Sequence, residues 1–436
     1  MQACSKGLMA RRCVDPANTG SPYADYVSDS RIIPGRADGY IRAPPPEVES
    51  RPSCMNNSIL FKARTVWQKF NAPIDRPLVF LTFALLAYAS FVIASASPQR
   101  INAHLANLAV GLSCLFVAAH ITPQRLRNIT PSIYIAGVIL LLAVALFGDI
   151  SKGAQRWLNL GFTRIQPSEI LKIAAPLMLA WFYFHRDEGL RHRDHLVAVC
   201  LLMLPVLLIA KQPDLGTGIL VFLSGFFVLF LAGIPWKWIS PLVIAIVGII
   251  GVLLVSGDTL CQKDQVWPLL RDYQKHRVCT MLNPTSDPLG KGFHIIQAMI
   301  AIGSGGLWGK GWGMGSQTQL DFLPERHTDF IFAVLAEELG LVGALVLLVI
   351  YIALVLRGAS IALHTKDRFG RYVAGSLTLS IFSYAFVNMG MVTGMLPVVG
   401  VPLPFMSYGG TAMVILCISL GILMSIAHSQ TAARND

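Results

Sequence analysis

The sequence predicts an all-α polytopic membrane protein with ten transmembrane helices and one long extracytoplasmic loop between helices 7 and 8. Of its 436 residues, 54% are hydrophobic and 14% are charged, whereas a soluble domain carries about 25% charged residues. Apolar runs long enough to cross about 30 Å of hydrocarbon recur along the chain. Positive charges gather in alternate connections between these runs. These features exclude a cytosolic enzyme, a disordered protein and a secreted disulfide scaffold.

The apolar runs also define the domain organisation. Residues 1–70 are polar and rich in proline, and they are predicted to form a disordered cytoplasmic tail. Residues 71–428 form the membrane domain, and residues 429–436 form a short cytoplasmic C-terminal tail. The ten predicted helices are 77–96, 102–120, 132–149, 167–184, 196–210, 215–233, 238–256, 330–356, 371–396 and 405–427.

The distribution of basic residues predicts which side of the membrane each connection faces. With both termini in the cytoplasm, the short inner connections hold ten Lys and Arg residues and the short outer ones hold five, in agreement with the positive-inside rule. This arrangement explains the net charge of +11 better than a nucleic-acid partner does. Three of the outer cations lie within residues 151–166, which indicates an anionic ligand there. Contact with lipid headgroups or with nearby acids is the alternative.

The outer connection 257–329 is much longer than the others, and loops of this length are usually functional or disordered. Its uncharged stretch Phe293–Gly309 is too short and too rich in glycine to span a membrane. It is predicted to be a re-entrant or interfacial segment packed against protein. Cys261 and Cys279 share this loop and can pair if it faces an oxidising compartment, although the sequence supplies no geometry for that bond.

Two short motifs place charged groups at the outer ends of helices. Arg156 and Trp157 are suited to a sugar-phosphate, because Arg binds phosphate oxygens in a fork and Trp offers a flat face to a sugar ring. An aromatic-belt Trp beside a snorkelling Arg is the alternative. Glu169 and Lys172, in the motif that begins at Gln166, are three residues apart and share a helix face. They form either the wall of a polar cavity or a structural ion pair.

Further polar residues lie at the entries to other helices. Asp214, in a tight outer turn, is predicted to be a helix N-cap. Glu325 and His327 lie just before the eighth helix and indicate either a site or a cap with a salt network. Glu337 and Glu338 follow two turns deeper, where buried acids need partners.

The long loop contains one restrained carboxylate. Prolines flank Asp287 at positions 284 and 288, and the second one biases Asp287 toward an extended backbone. A carboxylate restrained in this way can act as a general base or as a metal ligand. The alternative is an Asx-type turn that caps the next segment.

In order along the chain, these segments resemble the SEDS family (shape, elongation, division and sporulation) over about residues 75–428. The sequences of two blocks, Leu-Pro-Glu-Arg-His from Leu323 and Val-Gly-Val-Pro-Leu-Pro from Val399, resemble the elongation branch of the family more than the division branch. The motifs that carry the resemblance are Gly-Ala-Gln-Arg-Trp at 153–157, Gln-Pro-Ser-Glu at 166–169, Gln-Pro-Asp-Leu-Gly-Thr at 212–217, Asp287-Pro288, the block 322–340 and Pro402 to Gly410.

The resemblance implies a bacterial peptidoglycan glycosyltransferase that polymerises lipid II, a disaccharide-pentapeptide on undecaprenyl diphosphate, into β-1,4 glycan strands. It implies an inner-membrane location with a periplasmic active face. The implied partners are a class B penicillin-binding protein and other membrane proteins of the elongation complex. Asp287 matches the family's essential acid, and the residues expected to contact substrate are Arg156, Trp157, Gln166, Glu169, Lys172, Asp214, Glu325, His327 and Ser407.

In the implied reaction, Asp287 deprotonates the 4-hydroxyl of the acceptor sugar, and the lipid diphosphate leaves with inversion at the anomeric carbon. Arg156, Lys172 or a divalent cation such as Mg²⁺ or Mn²⁺ would stabilise the departing charge. Two alternatives remain at this point. A lipid II flippase also needs buried charges among helices, although no inverted repeat is visible in the sequence. A passive scaffold would tolerate the loss of Asp287 and Arg156.

Overall fold

The computed structural model describes residues 74–151, 154–159, 164–186, 189–261, 272–286, 290–320, 322–323 and 325–435. The predicted tail 1–70 lies outside these residues, and so does Asp287. The described chain is dominated by helices, which confirms the predicted all-α class.

Each of the ten predicted segments overlaps a helix, although the bounds differ by several residues for some of them. The first seven are α1 (Arg76–Ala96), α2 (Ile101–Ala119), α3 (Pro123–Phe147), α4 (Pro167–Phe184), α5 (His192–Lys211), α6 (Leu215–Leu231) and α7 (Trp236–Leu260). In the described part of the long connection that follows α7, the shorter helices are α8 (Asp272–Leu282), α9 (Lys291–Gly305) and α10 (Ser316–Gln319). The chain ends with α11 (Ile331–His364), α12 (Arg368–Val392) and α13 (Gly410–Asn435).

Among the residues that the structure describes, eight helices are long and apolar enough to cross a membrane. Helix α4 is not among them, because Glu169 and Lys172 lower its mean hydropathy. Helix α6 is not among them because it has 17 residues, fewer than the roughly 20 that usually cross a membrane. The protein is therefore a multi-pass membrane protein, and the exact number of ten spans stays a prediction.

Close packing of α2 against α13 depends on small residues. A Cβ atom at Gly421 would collide with the carbonyl oxygen of Leu115, and one at Gly111 would lie 3.0 Å from Sγ of Cys417. Because lipid is as apolar as a leucine side chain, helices in a membrane associate through such close approach. Buried side chains of α1, α11, α12 and α13 extend this contact into one large core.

Several boundaries differ from the prediction. Helix α5 runs unbroken through Pro205. It begins earlier than predicted, where the Asp194 carboxylate accepts the N–H of the N-cap residue Arg191 at 3.0 Å. Helix α13 continues through residues 429–435, and their assignment to a cytoplasmic tail stays a prediction.

The connection between α3 and α4 contains a small antiparallel sheet that hydropathy did not predict. Its strands are β1 (Asp149–Ser151), β2 (Ala154–Asn159) and β3 (Arg164–Ile165), in that order across the sheet. Asp149 pairs with Trp157, and Asn159 pairs with Arg164. The central strand therefore holds Arg156 and Trp157 in extended backbone at the entry to α4.

The described part of the long connection between α7 and α11 is mostly helical, and a disulfide tethers it to α7. A disulfide joins Cys261, at the end of α7, to Cys279 on α8, with their Cα atoms 5.5 Å apart. A 3₁₀ turn, Pro284–Ser286, follows α8. Helix α9 packs against α11 and α12 through Ala298 and Ala301, which share a buried cluster with Ala333 and Met391. The predicted packing of this segment against protein is confirmed.

Candidate functional site

Two helix entries meet around Asp214. Gln166, the N-cap of α4, donates from Nε2 to Oδ2 of Asp214 over 2.8 Å. Asp214 is the N-cap of α6, as predicted, since its Oδ1 accepts the N–H of Thr217 at 3.3 Å. The N-termini of α4 and α6 therefore lie together, and both carry the partial positive charge of a helix dipole.

Arg156 reaches this corner from β2. Its Nη2 donates to the carbonyl oxygen of Pro213 over 2.5 Å, and its Nη1 lies 3.8 Å from Oδ1 of Asp214. The Arg156 side chain is 30% exposed. Its Nε is buried and has no hydrogen-bond partner among the described residues. A fixed and partly exposed guanidinium is able to bind an anionic oxygen.

Glu169 and Lys172 form a buried pair one turn into α4. Nζ of Lys172 donates to Oε1 of Glu169 at 2.6 Å, with side-chain exposures of 5% and 10%. The ammonium also lies 5.1 Å from the ring centre of Tyr384 on α12. The predicted shared face is confirmed. The ion-pair alternative describes this contact correctly, and a role as cavity wall stays a prediction.

Asn388 connects this corner to residues 393–409, between α12 and α13, here called the last outer turn. It lies one helical turn after Tyr384 on α12, so both side chains share a face. Its Nδ2 donates to the carbonyl oxygens of Asp329 at 2.9 Å and Val401 at 2.7 Å. Sequence reasoning missed both Tyr384 and Asn388. Their polar groups inside the apolar segment 371–396 were the available signal.

The last outer turn packs directly on the entry to α6. A Cβ atom at Gly216 would lie 2.6 Å from the carbonyl oxygen of Val399, so only glycine permits this approach. From α8, Arg277 donates through Nη1 to the carbonyl oxygen of Val398 at 3.0 Å. The segment just before Asp287 is thus tied to the turn that touches the Asp214 corner.

Ser407 lies on the other side of this turn. Its hydroxyl accepts the N–H of Leu403 at 2.8 Å and donates to the carbonyl oxygen of Thr328 at 2.5 Å. The carbonyl oxygen of His327 accepts the N–H of Tyr408 at 2.8 Å. Ser407 and His327 are therefore brought together through backbone contacts that join the entries to α11 and α13.

Glu325 belongs to the same segment but is exposed. Its carboxylate accepts the hydroxyl of Thr328 at 3.0 Å, and its backbone has a positive φ of 54°. Trp157 is half-buried on β2. The structure therefore brings Arg156, Gln166 and Asp214 into one corner, with Glu169 and Lys172 one turn further along α4. Glu325, His327 and Ser407 form a second group across the last outer turn.

No three His, Cys, Asp or Glu side chains come together as a metal site within the described part of the chain. Glu169 is paired with Lys172 and Asp214 with Arg156. The described carboxylates of the corner are thus already matched to protein cations.

Comparison with known proteins identifies the family. The family model FTSW_RODA_SPOVE, described as a cell cycle protein, matches residues 75–432. The chain is 52% identical over 369 residues to the peptidoglycan glycosyltransferase MrdB of Escherichia coli (strain K12), covering 83% of this chain and 95% of MrdB.

Comparison with solved structures supports the same family assignment. A chain reported under "Structural coordination of polymerization and crosslinking by a peptidoglycan synthase complex" matches with a TM-score of 0.67 and 32% identity, over 82% of this chain and 98% of that one. The crystal structure of the Thermus thermophilus rod shape determining protein RodA matches with a TM-score of 0.60 and 28% identity, over 82% and 97%. The order of helices, the joined entries of α4 and α6 and these similarities lead to one conclusion: the chain belongs to the FtsW, RodA and SpoVE family of cell cycle proteins.

Proposed function

We propose that this protein is a peptidoglycan glycosyltransferase that polymerises lipid II into β-1,4 glycan strands during cell elongation. Its 52% identity to a peptidoglycan glycosyltransferase and its likeness to a rod shape determining protein support the reaction and the branch. The observation that carries the proposal is the corner where two helix N-termini meet beside Arg156. Such a corner is suited to a diphosphate, because helix N-termini and Arg both favour phosphate oxygens.

In the proposed reaction, Asp287 accepts the proton of the acceptor 4-hydroxyl. The oxygen then forms a bond to the anomeric carbon of the lipid-linked glycan, and the bond from that carbon to the diphosphate oxygen breaks. One displacement inverts the configuration at that carbon. A single base suffices because diphosphate is a good leaving group, unlike the alcohol released by glycosidases, which use two carboxylates.

Arg156 and Lys172 supply the proposed charge stabilisation for the leaving diphosphate. Preorganised cations are effective because they need no reorganisation as charge develops. Gln166 and Asp214 orient Arg156, and Glu169 orients Lys172. Asp287 lies outside the described residues. Helix α8, which precedes it in the chain, is tied to the last outer turn through Arg277.

Trp157, Glu325 and His327 are the proposed contacts for the glycan. Ser407 is proposed to act indirectly, by holding the conformation of the last outer turn, because its hydroxyl already has two backbone partners. A divalent cation, Mg²⁺ or Mn²⁺, remains a proposed accessory. Activity lost on chelation and restored by either ion would support it.

The proposed location is the bacterial inner membrane, with cytoplasmic termini and a periplasmic active face. The Cys261–Cys279 disulfide supports this orientation, since disulfides persist in the oxidising periplasm and are rare in the cytosol. The distribution of Lys and Arg points the same way.

The proposed partner is a class B penicillin-binding protein, together with membrane proteins of the elongation complex. A matching chain comes from a synthase complex that coordinates polymerization and crosslinking, which supports a crosslinking partner.

Polymerisation of labelled lipid II by the purified protein, with and without this partner, tests the proposal. Wild-type protein is expected to give glycan polymer on a gel. Asp287→Ala is expected to slow polymerisation by about 10²–10⁴-fold, the usual contribution of a general base. Thr285→Ala is the matched control, because Thr285 is exposed and donates its hydroxyl to Oδ1 of Asn283 in the same turn.

Polymer at an undiminished rate from Asp287→Ala would contradict its role as base. Absence of polymer from folded wild-type protein that binds lipid II, with the partner present, would contradict the enzyme. Transfer of labelled lipid II across proteoliposomes would then favour the flippase.

A further inference from the structure

We propose that the glycine-rich segment 306–315, here called the tip, is a membrane anchor whose side chains lie in the apolar layer of the leaflet on the side of the long loop. The tip connects α9 to α10. This inference goes beyond the proposed reaction and does not depend on it.

Four large apolar side chains of the tip are exposed. Leu307 is 64% exposed, Trp308 80%, Trp312 51% and Met314 70%. Exposed apolar clusters on a folded surface mark contact with protein or lipid. Tryptophan in particular is enriched where a membrane meets water.

The backbone N–H and C=O groups of the tip find hydrogen-bond partners at a break in α11. Gly340 leaves the helical conformation with φ 65° and ψ −161°. The freed carbonyl oxygens of Glu337 and Glu338 accept the N–H groups of Lys310 and Gly311, each at 3.0 Å.

In return, the N–H groups of Leu341 and Val342 donate to the carbonyl oxygens of Gly306 and Leu307 at 2.9 and 3.1 Å. Non-helical backbone is tolerated at membrane depth only where such groups find partners in protein. These four bonds meet that condition. A Cβ at Gly340 would lie 2.6 Å from the carbonyl oxygen of Leu307, so this docking needs glycine.

The charge in the tip is also neutralised. Nζ of Lys310 donates to Oε1 of Glu337 at 2.7 Å, and Glu337 is fully buried. Oε1 of Glu337 also accepts from the backbone of Gln317 and the hydroxyl of Ser316, and Oε2 accepts from Thr318. These contacts provide the partners that the sequence required for this acid. The tip thus presents apolar groups outward and directs its one cation inward.

Helix α1 gives the depth of the tip. Nε1 of Trp312 donates to the carbonyl oxygen of Phe91 at 3.0 Å, and the two rings stack 5.6 Å apart. Phe91 lies 15 residues beyond Arg76, the start of α1, or about 22 Å along the helix at 1.5 Å per residue. The hydrocarbon layer is about 30 Å thick, so a helix that crosses it places Phe91 below the surface on the loop side.

Helix α11 gives an independent measure. Arg357 forms a bidentate ion pair with Asp75 at the start of α1, which marks the opposite membrane face. Gly340 lies 17 residues from Arg357, or about 25 Å along α11. Both helices therefore place the tip within the outer few ångströms of the same apolar layer. Since α9 ends at the tip, the anchor limits how far the long loop can move from the membrane.

Spin-label accessibility in the reconstituted full-length protein tests this inference. Every cysteine except Cys261 and Cys279 is replaced by alanine, and single labels are placed at Trp308 and Met314. Ile139, exposed on the apolar face of α3, is the lipid control, and the exposed Gln124 at the start of α3 is the water control. Collision rates with oxygen, which concentrates in lipid, and with a water-soluble nickel chelate are measured by power saturation.

We expect positions 308 and 314 to resemble position 139, where oxygen accessibility exceeds nickel accessibility. At position 124 we expect nickel accessibility to be the higher one. Nickel accessibility equal to that at 124 would overturn the proposal and place the tip in water. Protection from both reagents would also overturn it, because the tip would then be covered by protein.

Discussion

Two ionic clusters of this membrane protein differ in how many of their polar groups have hydrogen-bond partners. Both oxygens of Glu337 are engaged, by Lys310, two hydroxyls and a backbone N–H. At the corner of α4 and α6, Arg156 is instead partly exposed and keeps a donor without a partner among the described residues. A saturated cluster holds a structure together, whereas spare capacity is expected where a ligand completes the bonding.

Among changes within these two clusters, Arg156→Ala is expected to have the largest effect on catalysis. Removing a preorganised donor for the leaving group should lower the polymerisation rate by about 10²–10³-fold. Thermal stability should change little, because Asp214 keeps Gln166 and Thr217 as partners. Lys211→Ala, an exposed cation at the end of α5, is the matched control. An equal loss in both variants would show that general outer charge, not the corner, is responsible.

Lys310→Met is expected to have the largest effect on stability. It leaves the buried Glu337 carboxylate without its cation and should lower the free energy of unfolding by about 3 kcal/mol. The double variant Lys310→Met/Glu337→Gln should be less destabilised, since both charges are removed. Thermal unfolding in detergent measures both. A double variant as unstable as the single one would argue against charge as the cause.

The corresponding changes at Lys172 and Glu169 test whether this pair, unlike Lys310 and Glu337, is needed for the reaction. Lys172→Met should destabilise the protein, and Lys172→Met/Glu169→Gln should recover part of that loss. Polymerisation is expected to stay low in the double variant, because the reaction needs the cation itself. Recovery of polymerisation together with stability would make this pair structural, like Lys310 and Glu337.

Ser407→Ala is expected to have the smallest effect. It removes the two backbone contacts of the hydroxyl and should cost about 1–2 kcal/mol of stability. Polymerisation per folded molecule should fall only a few-fold if Ser407 acts through the turn. A loss as large as that of Arg156→Ala, with unchanged thermal stability, would indicate direct contact with substrate.

The sequence predicted those parts of the site that depend on neighbouring residues. The N-cap at Asp214 and the shared face of Glu169 and Lys172 follow from local spacing, and both are observed. Tyr384 and Asn388 were missed because their partners lie far away along the chain. The strands around Arg156 were missed because short, polar strands carry little periodic signal.

By itself, the sequence determined the helical class, the positions of the ten apolar segments and the candidate residues at their ends, because hydropathy and helix entry are local properties. Only the tertiary structure decided that Arg156 meets Asp214, that Cys261 pairs with Cys279, and that Lys310 reaches Glu337 at the break in α11. Contacts of this kind depend on how segments distant in sequence pack together. A buried charge or an open helix turn requires a partner but does not specify which residue will provide it.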